Sequence, residues 1–228
     1  GVLPLIYFNI PFKRELISLP YCDAGGPLAD DPATETLLLR QALKIPPSAK
    51  VVIRSTRPFA NLSPDKTLCK QKVRMILSLP NSSDKLLSSF KAKLRSQINK
   101  AYKNGLTSII GSTNLLNDFY SVFSENMRDL GSPVHSREWI VSILKAYANR
   151  AHVSVVYMPD GRPAAAGIIL CHPKIVSIPW ASSLRRFNMS NPNMMLYWSF
   201  LKFAADNGYP AFDFGRSTPG EGTFRFKK

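Results

Sequence analysis

This 228-residue chain is short of acidic side chains, of cysteine, and of any long apolar run. Each shortage excludes something. No stretch approaches the roughly 20 apolar residues that a membrane-spanning helix requires, and no charged-then-apolar leader opens the sequence. Cys22, Cys69 and Cys171 are odd in number and widely spaced, without a C-x-x-C pair. That pattern suits free thiols in a reducing compartment better than a disulfide framework, and a cytoplasmic location is expected. His135, His152 and His172 share no metal-ligand spacing, so no metal is expected. Also missing are a P-loop, a G-x-G-x-x-G turn and a G-x-S-x-G elbow.

The shortage of acids is uneven. Thirty Lys and Arg oppose fifteen Asp and Glu, for a net charge of +15. Residues 40–104 hold fifteen of the basic residues with only Asp65 and Asp84 against them, a net of +13. The rest of the chain is close to neutral. A basic face confined to one third of a chain points to a polyanionic partner: a nucleic acid, a diphosphate or an anionic membrane surface.

What the chain does contain is a repeat. Ser18-Leu19-Pro20-Tyr21, Asp31-Pro32 and Arg54-Ser55-Thr56 recur as Ser177-Ile178-Pro179-Trp180, Asn191-Pro192 and Arg216-Ser217-Thr218, at offsets of 159, 160 and 162 residues. Matching strand, cap, helix and strand signals at one long offset indicate a duplicated α/β domain. In the first copy, strands are expected at 2–8, 15–19 and 50–55, with a further strand near 71–79. A helix over 32–43 starts at Asp31-Pro32 and closes near Pro46-Pro47.

Leu86, Leu87, Phe90, Leu94, Ile98 and Ala101 then recur at helical spacing, with Lys85, Lys91, Lys93, Arg95, Lys100 and Lys103 on the other faces. This predicts one amphipathic basic helix joining the copies. The second copy is expected to hold helices at 115–130, 137–149 and 193–207, and strands at 106–110, 152–157, 164–170, 175–180 and 211–214. The alternating tail Thr223-Phe224-Arg225-Phe226-Lys227 predicts a last strand. The domains are thus 1–79, a linker helix at 80–105, and 106–228. Residue 1 aligns with about residue 165, so the first copy lacks the leader that the second has. A chain cut at both ends is the expectation.

Arg216 follows Phe212-Asp213-Phe214-Gly215 at a strand end, where ligands of α/β folds commonly sit; an Asp213–Arg216 pair that only fixes the turn is the plainer account. For Phe226 and Lys227 the alternatives are a charged edge strand or a cation aimed at a phosphate or oxyanion. Trp180 reads as core, and Ser182 beside it as a pocket donor.

Several segments resemble the FemA/FemB/FemX family. They are Asn126-Met127-Arg128-Asp129-Leu130-Gly131-Ser132-Pro133, Pro179-Trp180-Ala181-Ser182-Ser183-Leu184, Asn193-Met194-Met195-Leu196-Tyr197-Trp198, Phe212-Asp213-Phe214-Gly215-Arg216-Ser217-Thr218 and the closing Phe226-Lys227. The likeness is greater to the FemAB-like proteins that accompany exosortase/PEP-CTERM and exopolysaccharide gene clusters. It implies two tandem GNAT-like domains of mixed α+β build, the first truncated at its N-terminus. It also implies transfer of an aminoacyl group from aminoacyl-tRNA onto an amino group of a cell-envelope precursor carried on a diphosphate, with no tightly bound cofactor.

On that resemblance Lys227 stands at the reacting carbonyl, with Phe226 beside it, and Arg95 or Lys100 holds the acceptor's diphosphate. Asp213 is a candidate proton acceptor. Trp180, Ser182, Asn193, Tyr197 and Arg216 complete the candidate site. The chemistry is placed on the second copy, with a cleft beside the basic helix.

Two alternatives stay open. An acyl-CoA-dependent acetyltransferase would need a glycine-rich turn before its helix to cradle the pyrophosphate, and Arg185-Arg186-Phe187-Asn188-Met189-Ser190-Asn191 contains no glycine. A non-catalytic module would use the basic helix to dock RNA or, peripherally, an anionic membrane.

Overall fold

The computed structural model describes residues 1–10, 13–20, 22–45, 50–57, 59 and 72–227. Tyr21, Pro46-Pro47, Cys69, Gln71 and Lys228 lie outside the described residues. The chain forms two compact units, Gly1–Arg74 with Arg216–Phe226, and Met75–Gly215 with Lys227–Lys228.

The first unit is a small three-stranded sheet with one helix. Strands β1 (Ile6–Ile10) and β2 (Lys13–Ile17) pair antiparallel, and β3 (Lys50–Val52) joins β2 in parallel. A parallel neighbour requires a crossover, supplied by helix α1 (Pro32–Lys44). Asp31 caps it, accepting from the Thr34 N–H at 2.8 Å and the Thr34 hydroxyl at 2.7 Å, and Pro32 takes the first turn. Leu16, Leu39 and Ala42 are buried. The expected strand over 50–55 stops at Val52. Arg54 turns its N–H to the Ser18 hydroxyl at 2.8 Å instead of to a backbone carbonyl.

The second unit holds β4 (Val73–Ser78, which enters from the first unit), β5 (Thr107–Gly111), β6 (Ala151–Tyr157), β7 (Pro163–His172), β8 (Ile175–Ser183) and β9 (Ala211–Ser217), ordered β4-β9-β8-β7-β6-β5. Strand period two divides its core. Ala165, Ile169 and Cys171 of β7 join one cluster, with Leu196, Phe200 and Ala204 of helix α6 (Pro192–Asp206). Ala164, Ala166 and Ile168 join the other, with Phe119, Val122 and Phe123 of α4 (Leu116–Asp129) and Ile140 of α5 (Arg137–Tyr147).

The duplication is visible in the pairing. β1–β2–α1–β3 and β7–β8–α6–β9 share one plan: an antiparallel hairpin, a helix, then a strand parallel to the hairpin's second member. Ile17 faces Val52 as Val176 faces Phe212. Ile17 and Val176 are the same position of the repeat, whereas Val52 corresponds to Phe214, so the second copy's pairing is shifted by two residues along β9.

Two expectations fail. The single helix between the copies is two, α2 (Ser83–Ser89) and α3 (Ala92–Lys103), because Phe90 adopts an extended backbone (ψ 148°) and turns its ring edge-on to Trp198. Burying that ring ends one helix and starts another within an unbroken 3.6-residue pattern. The tail is a helix, α7 (Gly222–Lys227), not a strand. Gly220, at φ +87°, permits a turn closed by the Glu221 N–H on the Thr218 carbonyl, and the Arg225 N–H then bonds to the Glu221 carbonyl. The alternation of Phe and basic residues therefore does not sort them onto two faces. No helix among the described residues is long and apolar enough to cross a membrane.

Candidate functional site

In the second unit β8 and β9 run parallel but pair only at Val176–Phe212 and Ser177–Asp213. β8 continues to Ser183 and β9 to Ser217. The reason lies in two residues. Pro179 has no N–H to extend the ladder, and Gly215, at φ +74°, bends β9 in a way that a side chain would resist. A wedge between two parallel strands follows, at their C-terminal ends.

The β9 side of the wedge carries the charged groups. Asp213 is 4% exposed, and its Oδ1 accepts the Gly215 N–H at 2.8 Å, which fixes the bend. Lys227 Nζ donates to the Phe214 carbonyl at 2.6 Å. The Phe214 ring stacks on Tyr197 with centroids 5.8 Å apart and lies 4.9 Å from Phe212. Burial pushes the Tyr197 phenol up to about 12, so it stays a neutral donor at physiological pH. Three predicted residues, Asp213, Lys227 and Tyr197, are thus gathered around one backbone segment, Asp213–Gly215. Phe214 itself is the member that sequence reasoning passed over; its place in the Phe-Asp-Phe-Gly run was the available signal.

Trp180 and Ser182 face the other layer. Trp180 packs edge-on against Trp139 (5.4 Å) and His135 (6.5 Å), as its reading as core requires. Ser182 is buried, and its hydroxyl accepts from Asn126 Nδ2 at 3.1 Å. This ties the Asn126-Met127-Arg128 segment of α4 to the end of β8. Asn193 sits half-buried in the first turn of α6. Phe226 is 38% exposed on α7.

On α3, Lys100 is exposed in the last turn, with Lys91, Lys93 and Lys103 also in solvent. Arg95 differs: its Nη1 donates to the carbonyls of Phe90 (2.5 Å) and Ser88 (3.3 Å) and so satisfies the end of α2. In the first unit, Arg216 Nε donates to Asp23 Oδ1 at 2.8 Å. Ser217 is buried with its hydroxyl unpartnered, whereas its counterpart Ser55 bonds both the N–H and the carbonyl of Arg57.

The segment before α6 is a 3₁₀ turn, Arg185–Ser190, with Phe187 buried in it. Arg162 and Arg186 lie over that ring at 5.2 and 4.9 Å, and Arg186 also pairs with Glu125. Arg185, Arg186, Asn188 and Met189 are exposed around that one buried ring. Among the described residues no group of three His, Cys, Asp or Glu could hold a metal; the described cysteines, exposed Cys22 and buried Cys171, are free thiols.

A parallel pair that opens into a wedge after a hairpin, with a helix as crossover, is a specific topology. The acetyltransferase (GNAT) domain family, of FemAB type, matches residues 88–228. The chain belongs to this family. It is therefore an acyltransferase by family.

Among solved structures, FemX matches with a TM-score of 0.64 at 14% identity, over 98% of this chain and 79% of FemX. The C-terminal domain of a putative lysylphosphatidylglycerol synthetase from Agrobacterium fabrum matches with a TM-score of 0.58 at 14% identity, over 94% of this chain and 67% of that one. L-PGS from Bacillus licheniformis matches with a TM-score of 0.57 at 15% identity, again over 94% and 67%. At such identities the agreement is in fold. A search of curated proteins finds no match to this sequence. The FemX match spans nearly the whole chain, in keeping with tandem GNAT-like domains.

Proposed function

We propose that this GNAT acyltransferase moves an aminoacyl group from a charged tRNA onto an amino group of a cell-envelope precursor in the peptidoglycan or exopolysaccharide pathway. The observation that carries the reading is the Lys227 ammonium, held on the Phe214 carbonyl at the edge of the β8–β9 wedge. An aminoacyl ester is already activated, so its transfer to an amine chiefly needs alignment and charge stabilisation. The ester carbonyl enters the wedge beside Lys227. The acceptor amine attacks the carbonyl carbon; its electron pair becomes the new C–N bond while the C=O pair moves onto oxygen. Lys227, whose ammonium carries three protons, stabilises that oxyanion. The amine gives up a proton to Asp213, the buried carboxylate of β9, and collapse breaks the ester C–O bond, the departing tRNA oxygen taking that proton to leave as a hydroxyl.

The fold similarity to FemX and to L-PGS supports an aminoacyl donor. So does the turn at Arg185–Ser190, which holds no glycine to line a cradle of the kind acyl-CoA enzymes use. In this reading the exposed lysines of α3 attract the anionic carrier or the diphosphate-linked acceptor. The protein acts in the cytoplasm, where charged tRNA is found, in peripheral contact with the membrane surface if the precursor is lipid-borne.

The test is Lys227→Ala. Turnover should fall by about 100-fold or more, the usual cost of removing one oxyanion-stabilising group, with donor and acceptor still bound. Undiminished transfer by that variant would remove Lys227 from the chemistry.

A further inference from the structure

Within the second unit, where β5 ends and β6 begins, lies a cavity of about 500 Å³. Small-molecule sites span roughly 300–1,000 Å³. Strand period two shapes its floor. Ala151, Val153 and Val155 of β6 pack with α4 and α5, which turns His152 to the opposite face of the sheet. There its ring meets Phe203 of α6, with centroids 4.6 Å apart and planes tilted by 52°. Ile110 and Ala148 extend the apolar wall, while Ser112 and Asn149 add a hydroxyl and an amide. Ala148 closes α5 at φ 48° and ψ −120°. That backbone conformation favours glycine, and strain of this kind collects at ligand sites.

The lining selects by charge. In a chain of net charge +15, no Lys, Arg, Asp or Glu among the described residues lines this cavity. A charged ligand would lose water here and gain no counter-ion. Burial lowers the pKa of His152, and the Asn149 carbonyl offsets only part of that, so the imidazole is neutral at physiological pH. A neutral imidazole has one N–H and one acceptor nitrogen. With its N–H turned to the Asn149 carbonyl, the other nitrogen remains to accept. The Phe203 ring offers an aromatic surface for offset or edge-on packing. A single six-membered ring would leave most of the volume unfilled.

We propose that this cavity binds an uncharged bicyclic aromatic molecule bearing an N–H or O–H donor, which packs on Phe203 and donates to His152. Strand β7 separates the site from the β8–β9 wedge. The inference does not rest on the transfer reading, and its test reads binding alone.

The test is titration with indole, with 1-methylindole (the same ring with its donor capped) and with indole-3-acetate, read by calorimetry and by the ring-proton resonances of His152. Indole should bind saturably and shift those resonances. It should bind about fivefold tighter than 1-methylindole, the usual worth of one hydrogen bond. Indole-3-acetate, which adds a carboxylate, should bind about tenfold more weakly than indole or worse. His152→Phe keeps a ring and removes the acceptor, so indole should fall to the affinity of 1-methylindole, which itself changes less than twofold. Thermal melts report whether that variant folds; if it does not, the three ligands on the unaltered protein decide. Failure of indole to bind, equal affinity for indole and 1-methylindole, indole-3-acetate bound as tightly as indole, no His152 shift at saturation, or a preference for indole that survives His152→Phe would overturn the proposal.

Discussion

Among single residues, two half-buried phenols make the fold sensitive to alkali. Tyr157 donates to Asp118 Oδ2 at 2.6 Å, and burial, then that bond, pushes its pKa up to about 12. Tyr197 reaches about 12 through burial alone. In the unfolded chain both ionise near pH ~10. Between about 10 and 12 the native state therefore holds protons that the unfolded state has lost, and stability falls as pH rises through that window. Denaturant unfolding at successive pH values from 9 to 11 should show the decline, and Tyr157→Phe should make it shallower. A slope unchanged by the substitution would contradict the assignment of the shift. Neither phenol's pKa was legible in the sequence, since burial and a partner 39 residues away are products of the fold.

The elements explain which expectations held. The repeat was readable because each anchor marks a place where backbone chemistry is constrained: Asp31-Pro32 and Asn191-Pro192 open helices, while Pro20 and Pro179 cannot extend a ladder. The tail was misread because five alternating residues fit a strand template as well as one turn and a half of helix. The break at Phe90 was hidden for a different reason. Apolar spacing continues through it, and only the ring's contact with Trp198 reveals why the backbone extends there.

Two predictions belong to this scale. A Cβ on Gly167 of β7 would lie 2.8 Å from the Trp180 carbonyl and 2.9 Å from the Phe200 ring. Gly167→Ala should thus destabilise the second unit by ~1–3 kcal/mol, the ordinary cost of overpacking, measured by denaturant unfolding. Arg95 serves α2 while lying on the basic helix. Arg95→Ala should lower the melting temperature and weaken a diphosphate-linked acceptor at low salt; unchanged affinity would leave it a purely structural cap.

At the level of the whole molecule, one ββαβ plan is used twice. In the second copy it opens a wedge whose rim holds Asp213 and Lys227. The first copy contributes Arg54, which shares a turn with Arg216 of the second. Trp180, Ser182, Asp213 and Arg216 could be named from sequence because they stand near strand ends, whereas Arg95, Lys100, Asn193, Tyr197 and Lys227 lie on helices and take their roles from the family resemblance. Their grouping could not be, since Lys227 meets the Phe214 carbonyl only through the turn before α7, and Arg216 finds Asp23 across 193 residues.

The group that is transferred separates an aminoacyl donor from an acyl-CoA donor. Product mass after incubation with a diphosphate-linked envelope precursor, offered charged tRNA or acetyl-CoA in parallel, tests it most directly. An aminoacyl increment from charged tRNA, lost in Lys227→Ala, and none from acetyl-CoA is the expected result. An acetyl increment from acetyl-CoA with none from charged tRNA would contradict it.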